Sequence, residues 1–559
     1  MAREREGSPD GDSNTGLCQG VWPLVTATEM QSLDRMTIEG SGVPGEVLME
    51  SAGRALVPLV LDLRTSSLRP DAKICIFCGA GNNGGDGFVL ARHLLAEGVE
   101  AETILIGDPE KLPRDAATNW MRLKATAAIC RIVDPQDLGV DWPALLANTS
   151  VAVDALFGIG LRREIRDGIA ELIDSIRNAR GAGLRVLAVD IPSGINAQTG
   201  QVCGTAVEAD RTLTISLPKV GLALEPGRSH AGRVDVARIG IEDPDPERLP
   251  RVELWNANAA RTEFPDRPRD GHKGTFGRVL VIAGSKGMMG AAALCTRASL
   301  RAGAGLVTLA HPEGRAVELA GLCTEVMTSE VSATERGSFA RVAEKALGEL
   351  AVARDVVAIG PGLGREHETM ELVRHLLASI DAPIVLDADG LYGFADGLEI
   401  LRDRSATTVL TPHPGEAARL LSTDVAQINS DRVSAARRLA ERAQSIVVLK
   451  GAGTVVVDPT GRTLIISTGG PALASGGTGD VLTGIVAALL ASRVAAFEAA
   501  GLAAWWHGAS GDRLDSEHLG FGILASEIAD GLPGSAASIL RRNEEDESNE
   551  GMVLRFPGP

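Results

Sequence analysis

Three aspartates stand where short apolar runs give way to glycine, asparagine or serine. They are Asp86 in CGAGNNGGDGF (78–88), Asp154 in VAVDALFGIGLRRE (151–164) and Asp190 in VLAVDIPSGINAQTG (186–200). A carboxylate at a strand end can carry a proton to or from a bound substrate. Asn83, Asp154 and Ser193 together offer hard oxygen donors of low total charge, a set suited to a monovalent or weakly held cation rather than to zinc. The glycines of residues 79–87 let backbone N–H groups approach a phosphate at the positive end of a helix. Their spacing is neither G-x-G-x-x-G nor a P-loop, because no Lys-Ser/Thr follows. Any one of these aspartates would serve equally as a helix cap or turn former. Three at equivalent strand ends, each beside a glycine-rich loop, read as a site.

A second constellation begins with ASGGTGDVLTGIVAALLAS (474–492), a glycine-rich loop running into an apolar helix. Gly476, Gly477 and Gly479 would leave N–H groups at the helix start to stabilise a transferring phosphoryl group, and Asp480 could accept the proton of the attacking hydroxyl. Helix capping explains the aspartate as well. Around it, GSKGMMGAAALCTRASLRAGAGLVTLA (284–310), GPGLG (360–364), LDADGL (386–391), TPHPGE (411–416) and LKGAGTVV (449–456) put glycine or polar groups at successive strand ends. His413 is either a turn histidine between two prolines or a binding residue. Lys450 ends a strand where a nucleotide phosphate or ribose could lie. Asp387 and Asp389 could touch a metal-nucleotide, with capping an equal role for Asp389.

The elements that must position these residues are alternating strands and helices. Short β-branched runs alternate with alanine- and leucine-rich segments of helical length, the pattern of βαβ units and a parallel sheet. One series covers about 73–217 and a second about 278–467, separated by the Pro-, Asp- and Arg-rich stretch 243–270. The expected organisation is α/β: a disordered tail (1–22), a first domain (23–245), a linker (246–270), a second domain (271–537) and a second disordered tail (538–559).

The 559 residues are 44% hydrophobic and 23% charged, enough apolar material for two large cores. The balance of 55 basic against 73 acidic residues, a net charge of −18, argues against nucleic acid or anionic membrane as partner and for small molecules. Seven scattered cysteines read as reduced thiols of a cytoplasmic protein. We find no signal peptide and no apolar run of about 18 residues that could span a bilayer. Cys75 and Cys78 have the C-x-x-C spacing of redox and zinc sites, yet they lie on an apolar strand with no second pair following, which favours a structural role.

The ordered set MQSLDRMTIEGSGVPGEVLMESAG (30–53), GAGNNGGDG (79–87), VDALFGIG (153–160) and VDIPSGINAQTG (189–200) resembles the NAD(P)H-hydrate epimerase domain over roughly 20–240. The resemblance implies a Rossmann-like three-layer domain. It would hold the hydrated nucleotide, NADHX or NADPHX, with Asn82, Asn83, Gly84, Gly85, Asp86, Gly158, Ile159, Gly160, Leu161, Arg162, Arg163, Glu164 and Asp190. It would bind potassium with Asn83, Asp154 and Ser193, and Asp154 and Asp190 would be its catalytic carboxylates. HKGTFGRVLVIAGS, TPHPGE and GGTGD resemble the ADP/ATP-dependent NAD(P)H-hydrate dehydratases, a ribokinase-like α/β branch, over about 265–535. That implies phosphorylation of the hydrate's C6 hydroxyl with Mg-ADP, as in bacterial relatives, or Mg-ATP, as in eukaryotic ones, as donor, then loss of phosphate; ADP and Mg²⁺ are the expectation for this chain. Asp480 would be the base, Ala291, Gly362, His413 and Asp480 would line the hydrate site, and Lys450, Gly451, Ala452, Gly453 and Thr454 with Gly476, Gly477, Thr478 and Gly479 would contact the nucleotide. The dehydratase branch carries G-T-G-D where ordinary ribokinase relatives carry G-A-G-D. Together the halves resemble a bifunctional hydrate-repair family in which an epimerase feeds a stereospecific dehydratase; relatives imply a homo-oligomer. The alternative is a small-metabolite kinase with a non-catalytic N-terminal binding module.

Overall fold

The computed structural model describes residues 20–134, 139–241, 251–319, 321–395, 397–541 and 553–557. Each half is a mostly parallel sheet covered by helices on both faces, which is why a strand such as Thr149–Ala155 is buried along its whole length. In the N-terminal half the chain lays down Lys73–Gly79, Ala101–Ile106 and Ile129–Val133 in one direction. It then returns to the other side of Lys73–Gly79 with Thr149–Ala155, Arg185–Val189, Arg211–Ile215 and Arg233–Ala237. Strand order therefore reverses between Lys73–Gly79 and Thr149–Ala155, which pair in parallel. At such a switch point the loops leaving the carboxyl ends diverge and open a crevice.

The C-terminal half repeats the plan. Arg278–Ile282, Leu306–Pro312 and Met327–Val331 run outward, and Val356–Ile359, Ile384–Leu386, Thr408–Leu410 and Ile446–Leu449 fill the other side, so the switch point lies between Arg278–Ile282 and Val356–Ile359. Helices Met289–Arg301, Thr478–Ala491, Ala496–His518 and Ala525–Arg541 cover one face, and His367–Ser379 and Arg432–Ala443 pack on the opposite one.

The tails and linker carry regular elements that the sequence expectation lacks. Val21–Leu24, placed across the end of the N-terminal tail, pairs antiparallel with Val252–Trp255 from the linker, and that strand pairs with Thr463–Ile465. Both thus extend the C-terminal sheet. The linker also holds helix Ala257–Thr262, whose first N–H groups donate to the Asn256 side chain. Helix Ala525–Arg541 runs past residue 537, and Val553–Arg555 pairs antiparallel with Arg233–Ala237 at the edge of the N-terminal sheet. These strands are only three or four residues long, too short to show a period amid glycine- and charge-rich surroundings. The parts of the tails and linker at 1–19, 242–250, 542–552 and 558–559 lie outside the described residues.

The chain ends are therefore crossed between the halves. The Trp22 and Phe556 rings meet edge to face with centroids 5.5 Å apart, inside one apolar cluster that also holds Ile191 and Leu224 from the N-terminal half and Leu449 from the C-terminal half. Trp22→Ala and Phe556→Ala are each expected to cost about 3 kcal/mol of stability. Their effects should fall short of additivity by about 1 kcal/mol in denaturant unfolding, the worth of the ring pair. Strict additivity would show that the ring pair contributes nothing beyond separate burial.

Candidate active sites

A cavity of about 720 Å³ opens at the N-terminal switch point. Asn82, Asn83 and Asp86 line it from the start of helix Asn82–Ala96, Gly158 to Arg163 from the loop after Thr149–Ala155, and Asp190 from the end of Arg185–Val189. The helix start faces the cavity without a side-chain cap, which leaves its N–H groups free for an anion. Gly84 makes this placement possible: a Cβ there would lie 2.0 Å from the Gly79 carbonyl oxygen, so only glycine lets the helix press onto the strand end.

Asp190 occupies the left-handed region at φ +67°, one that Asp tolerates better than most residues. Its Oδ1 accepts from the Ile215 N–H at 3.0 Å and from the Lys219 ammonium. Lys219 is fully buried and also donates to Thr214 Oγ1 (3.2 Å) and the Ile215 carbonyl (2.9 Å), which uses all three of its donors. Burial pushes the Asp86 carboxyl well above the usual carboxylate range, with the charges of Asp190 and Asp34 adding and Lys219 opposing. Asp34, also on the cavity wall, is raised by its own burial and by Asp115. The cavity thus sets a carboxyl whose proton affinity burial raises, Asp86, beside one held in an ion pair, Asp190, two unlike environments of the sort that separate an acid from a base.

Asp154 and Ser193 sit just behind this wall. Asp154 accepts from Ser193 Oγ (2.6 Å), Ser193 N–H (2.8 Å) and Leu156 N–H (3.3 Å). Burial still pushes its carboxyl up to about 6 against these bonds. Asn83 Nδ2 is buried without a partner, and its Oδ1 faces Gly158. Oxygens of Asn83, Asp154 and Ser193, with one carboxylate among them, fit a monovalent cation. Among the described residues no group of three or more His, Cys, Asp or Glu side chains could hold a metal ion.

At the C-terminal switch point Gly362 approaches Ala291 closely enough that an added Cβ would lie 3.2 Å from the Ala291 Cβ. Helix Thr478–Ala491 starts nearby with Asp480 in its first turn. Burial is the main force that pushes Asp480 up to about 7; Asp387, Asp389 and Glu416 add to it and Lys450 opposes. Lys450 Nζ lies 2.6 Å from Asp387 Oδ1 and 4.0 Å from Glu416 Oε2, while Thr483 Oγ1 donates to Asp387 Oδ2 at 2.7 Å. Asp387 therefore ties the lysine to the helix that carries Asp480. Gly479 admits the ammonium to the helix start, since a Cβ there would lie 3.2 Å from Lys450 Nζ. Thr478 Oγ1 donates back to the Leu473 and Ser475 carbonyls, leaving backbone rather than side chain to meet a ligand.

The remaining sequence-predicted residues take several roles. His413 caps helix Pro414–Leu420, its Nδ1 accepting from Gly415 N–H at 3.0 Å, while the half-exposed ring keeps Nε2 3.3 Å from Glu416 Oε1. Asp389 accepts from Gly364 N–H (3.1 Å) and Arg365 (2.7 Å) and so braces the GPGLG loop. Glu164 turns to Arg166 at the surface, outside the cavity wall, and Gly85 packs under Met49. Cys75 and Cys78 point into different clusters on opposite faces of their strand, and burial raises both thiols, so they are core residues and share no site. Lys219, Asp34 and His507 escaped the sequence reading. A lone lysine in the apolar run ISLPKVGLAL (215–224), four residues beyond the end of the strand Arg211–Ile215, was the available signal for the first. His507 is buried with Nε2 unpartnered, and burial with the Lys450 charge lowers it to about 4.

Comparison with known proteins agrees with this division. A family model described as NAD(P)H-hydrate dehydratase matches residues 279–534, and one described as YjeF-related protein N-terminus matches 45–221. The bifunctional NAD(P)H-hydrate repair enzyme of Moorella thermoacetica is 41% identical over 529 residues, covering 94% of this chain and 97% of that protein. That of Thermofilum pendens is 37% identical over 448 residues, 78% of this chain and 81% of the relative. Among solved structures, the ADP/ATP-dependent NAD(P)H-hydrate dehydratase of Bacillus subtilis, co-crystallised with ATP and Mg²⁺, is 31% identical. It covers 51% of this chain and 98% of its own, with a TM-score of 0.46.

Proposed function

We infer the chemistry of the two sites from one premise: the chain belongs to the bifunctional NAD(P)H-hydrate repair enzymes. Its N-terminal half interconverts the R and S forms of NADHX and NADPHX, and its C-terminal half returns the S form to NAD(P)H at the expense of a nucleotide. The pairing of Asp480, raised to about 7, with an open helix N-terminus carries the second activity. The C6 hydroxyl gives its proton to Asp480 while its oxygen attacks the terminal phosphorus of ADP, and AMP leaves. Backbone N–H groups of Gly476 to Gly479 meet the charge that builds on the phosphoryl oxygens. The ester then departs from C6 as phosphate while C5 loses a proton, restoring the dihydronicotinamide ring. Asp387 and Lys450 hold the nucleotide side, where Mg²⁺ would neutralise phosphate charge.

In the epimerase cavity Asp86 protonates the C6 hydroxyl. Water leaves as the N1 lone pair forms a planar iminium at C6, and water returns to either face, giving its proton to Asp190. Asn83, Asp154 and Ser193 would hold potassium, which supplies positive charge behind the loops that grip the nucleotide. Among the described residues no helix is long and apolar enough to cross a membrane, and the six described cysteines are unpaired; reduced thiols support a cytoplasmic location.

The test is incubation of the chain with both hydrate epimers, Mg²⁺, K⁺ and ADP, following the near-ultraviolet absorbance of regenerated NADH. Recovery of the whole pool is expected. A phase that stops at the fraction of one epimer would remove the epimerase assignment, accumulation of a phosphorylated hydrate would indicate a kinase, and recovery with ATP alone would correct the donor.

Potassium has its own signature in stability. The Asp154 carboxyl titrates near 6 in the fold against an ordinary 3.8. A raised carboxyl stabilises the fold below its unfolded value, and that contribution is lost as pH rises through 6. A bound cation offsets the loss, so potassium is expected to raise the melting temperature at pH 8, hardly at all at pH 5, and not in Asp154→Ala. Equal stabilisation of the variant would place the cation elsewhere.

A further inference from the structure

Three contacts that cross from the epimerase half end beside the nucleotide segments of the dehydratase half. Arg228, on the short helix Gly227–Ala231, donates through Nη2 to the Ser467 carbonyl at 2.7 Å. Ser467 opens the segment that runs through Gly469 and Gly470 into the Gly476–Asp480 loop. Gly469 N–H donates to both carboxylate oxygens of Asp512 (2.9 and 3.1 Å), and Asp512 and Arg228 feel each other's charge. Ala223 and Leu224 lie against Gly453, where an added Cβ would come within 3.5 Å of each. Gln201 Nε2 donates to the Asn429 carbonyl (3.2 Å), Asn429 Oδ1 accepts from Arg432 (3.2 Å), and Arg432 donates to the Leu449 and Lys450 carbonyls (3.1 and 3.0 Å).

We propose that Arg228, supplied by the epimerase half, is a positioning residue for the dehydratase reaction, holding the nucleotide loops in place through Ser467 and Asp512. The proposal rests on the reading of the C-terminal site given above. A phosphate cradle of N–H groups works only when its backbone is held within fractions of an ångström before the ligand arrives. The Gly476–Asp480 and Lys450–Thr454 loops receive part of that support from across the domain boundary. Arg228 is the charged member of this contact, and a partly buried guanidinium that donates to a carbonyl within the field of a carboxylate is favourable only where those groups stay in place. Arg228 is absent from the wall of the epimerase cavity, so its loss should spare that reaction.

The test uses the full chain with the S hydrate alone for dehydration, and epimer exchange without nucleotide for the first site. Arg228→Ala is expected to raise the KM for Mg-ADP about tenfold, the effect of losing one charge-assisted hydrogen bond. The KM for hydrate and the rate of epimer exchange should not move, and Arg228→Lys should recover part of the nucleotide KM. A role confined to stability would lower both activities together at an unchanged nucleotide KM, and that result overturns the proposal. Should the alanine chain fail to fold, Arg228→Lys and Gln201→Ala carry the same test, and an unchanged nucleotide KM in both overturns it. If the parent chain shows no nucleotide-dependent dehydration, the reading of the C-terminal site fails first, and the role of Arg228 falls with it.

Discussion

Asp480→Asn is expected to reduce nucleotide-dependent dehydration by roughly 10²- to 10⁴-fold in kcat, the range of a lost general base, while epimer exchange continues at the parent rate. Asparagine keeps the volume and the helix start but cannot take the hydroxyl proton. Because burial and the neighbouring carboxylates push Asp480 up to about 7, the base is ionised only above that value. Parent kcat should therefore fall tenfold per pH unit below about 7, and the residual rate of the variant should lose this dependence. Stability should move the other way. A raised carboxyl pKa contributes stability that is present below the ordinary value of 3.8 and is lost as pH rises through 7. Removing the charge relieves that loss, so the variant should melt higher than the parent at pH 8, with the gain shrinking towards pH 4. A variant that dehydrates normally, or one that melts lower at every pH, would show that Asp480 is a structural cap.

How much of this was legible in sequence follows from what each feature depends on. Glycine-rich loops behind β-branched runs marked the strand ends, and in a parallel sheet strand ends are where a site forms. That rule picks out the neighbourhoods of Asp86, Asp154, Asp190 and Asp480, but it does not separate a chemical role for them from a cap or a turn. The rule does not say which neighbour each residue acquires. Lys219 meets Asp190 because the strand Arg211–Ile215 lies beside Arg185–Val189, a pairing that sequence distance conceals. Asp154 and Ser193, 39 residues apart, share hydrogen bonds for the same reason. The crossed terminal strands were illegible on other grounds. Val21–Leu24 and Val553–Arg555 are too short to carry a pattern, and their partners lie in the opposite half of the chain. Two polar-looking tails therefore hid the clasp formed by Trp22 and Phe556. The cross-domain support by Arg228 was hidden too, since an arginine in EPGRSH reads as surface until its partner is known.

Asp190→Asn should lower epimer exchange by roughly 10²- to 10⁴-fold, as removal of a proton acceptor does, with dehydration of the S form unchanged. The backbone tolerates the change, because asparagine adopts the left-handed region as readily as aspartate, and its carbonyl oxygen can still accept from Ile215 N–H. The buried ammonium of Lys219 does not tolerate it. Stripped of its carboxylate, that charge remains in a fully buried position, and breaking one side of a buried pair typically costs about 3–5 kcal/mol. A loss of activity alone would thus be ambiguous, since an unstable fold also loses exchange. The double variant Asp190→Asn/Lys219→Met separates the two effects. Methionine fills the volume without the charge, so most of the lost stability should return, measured as the melting temperature in the same buffer as the exchange assay. Exchange should not return with it, because no group remains at the end of Arg185–Val189 to take the proton of the incoming water. Recovery of exchange together with stability would show that the pair only holds the fold, and would leave Asp86 as the proton carrier of the cavity.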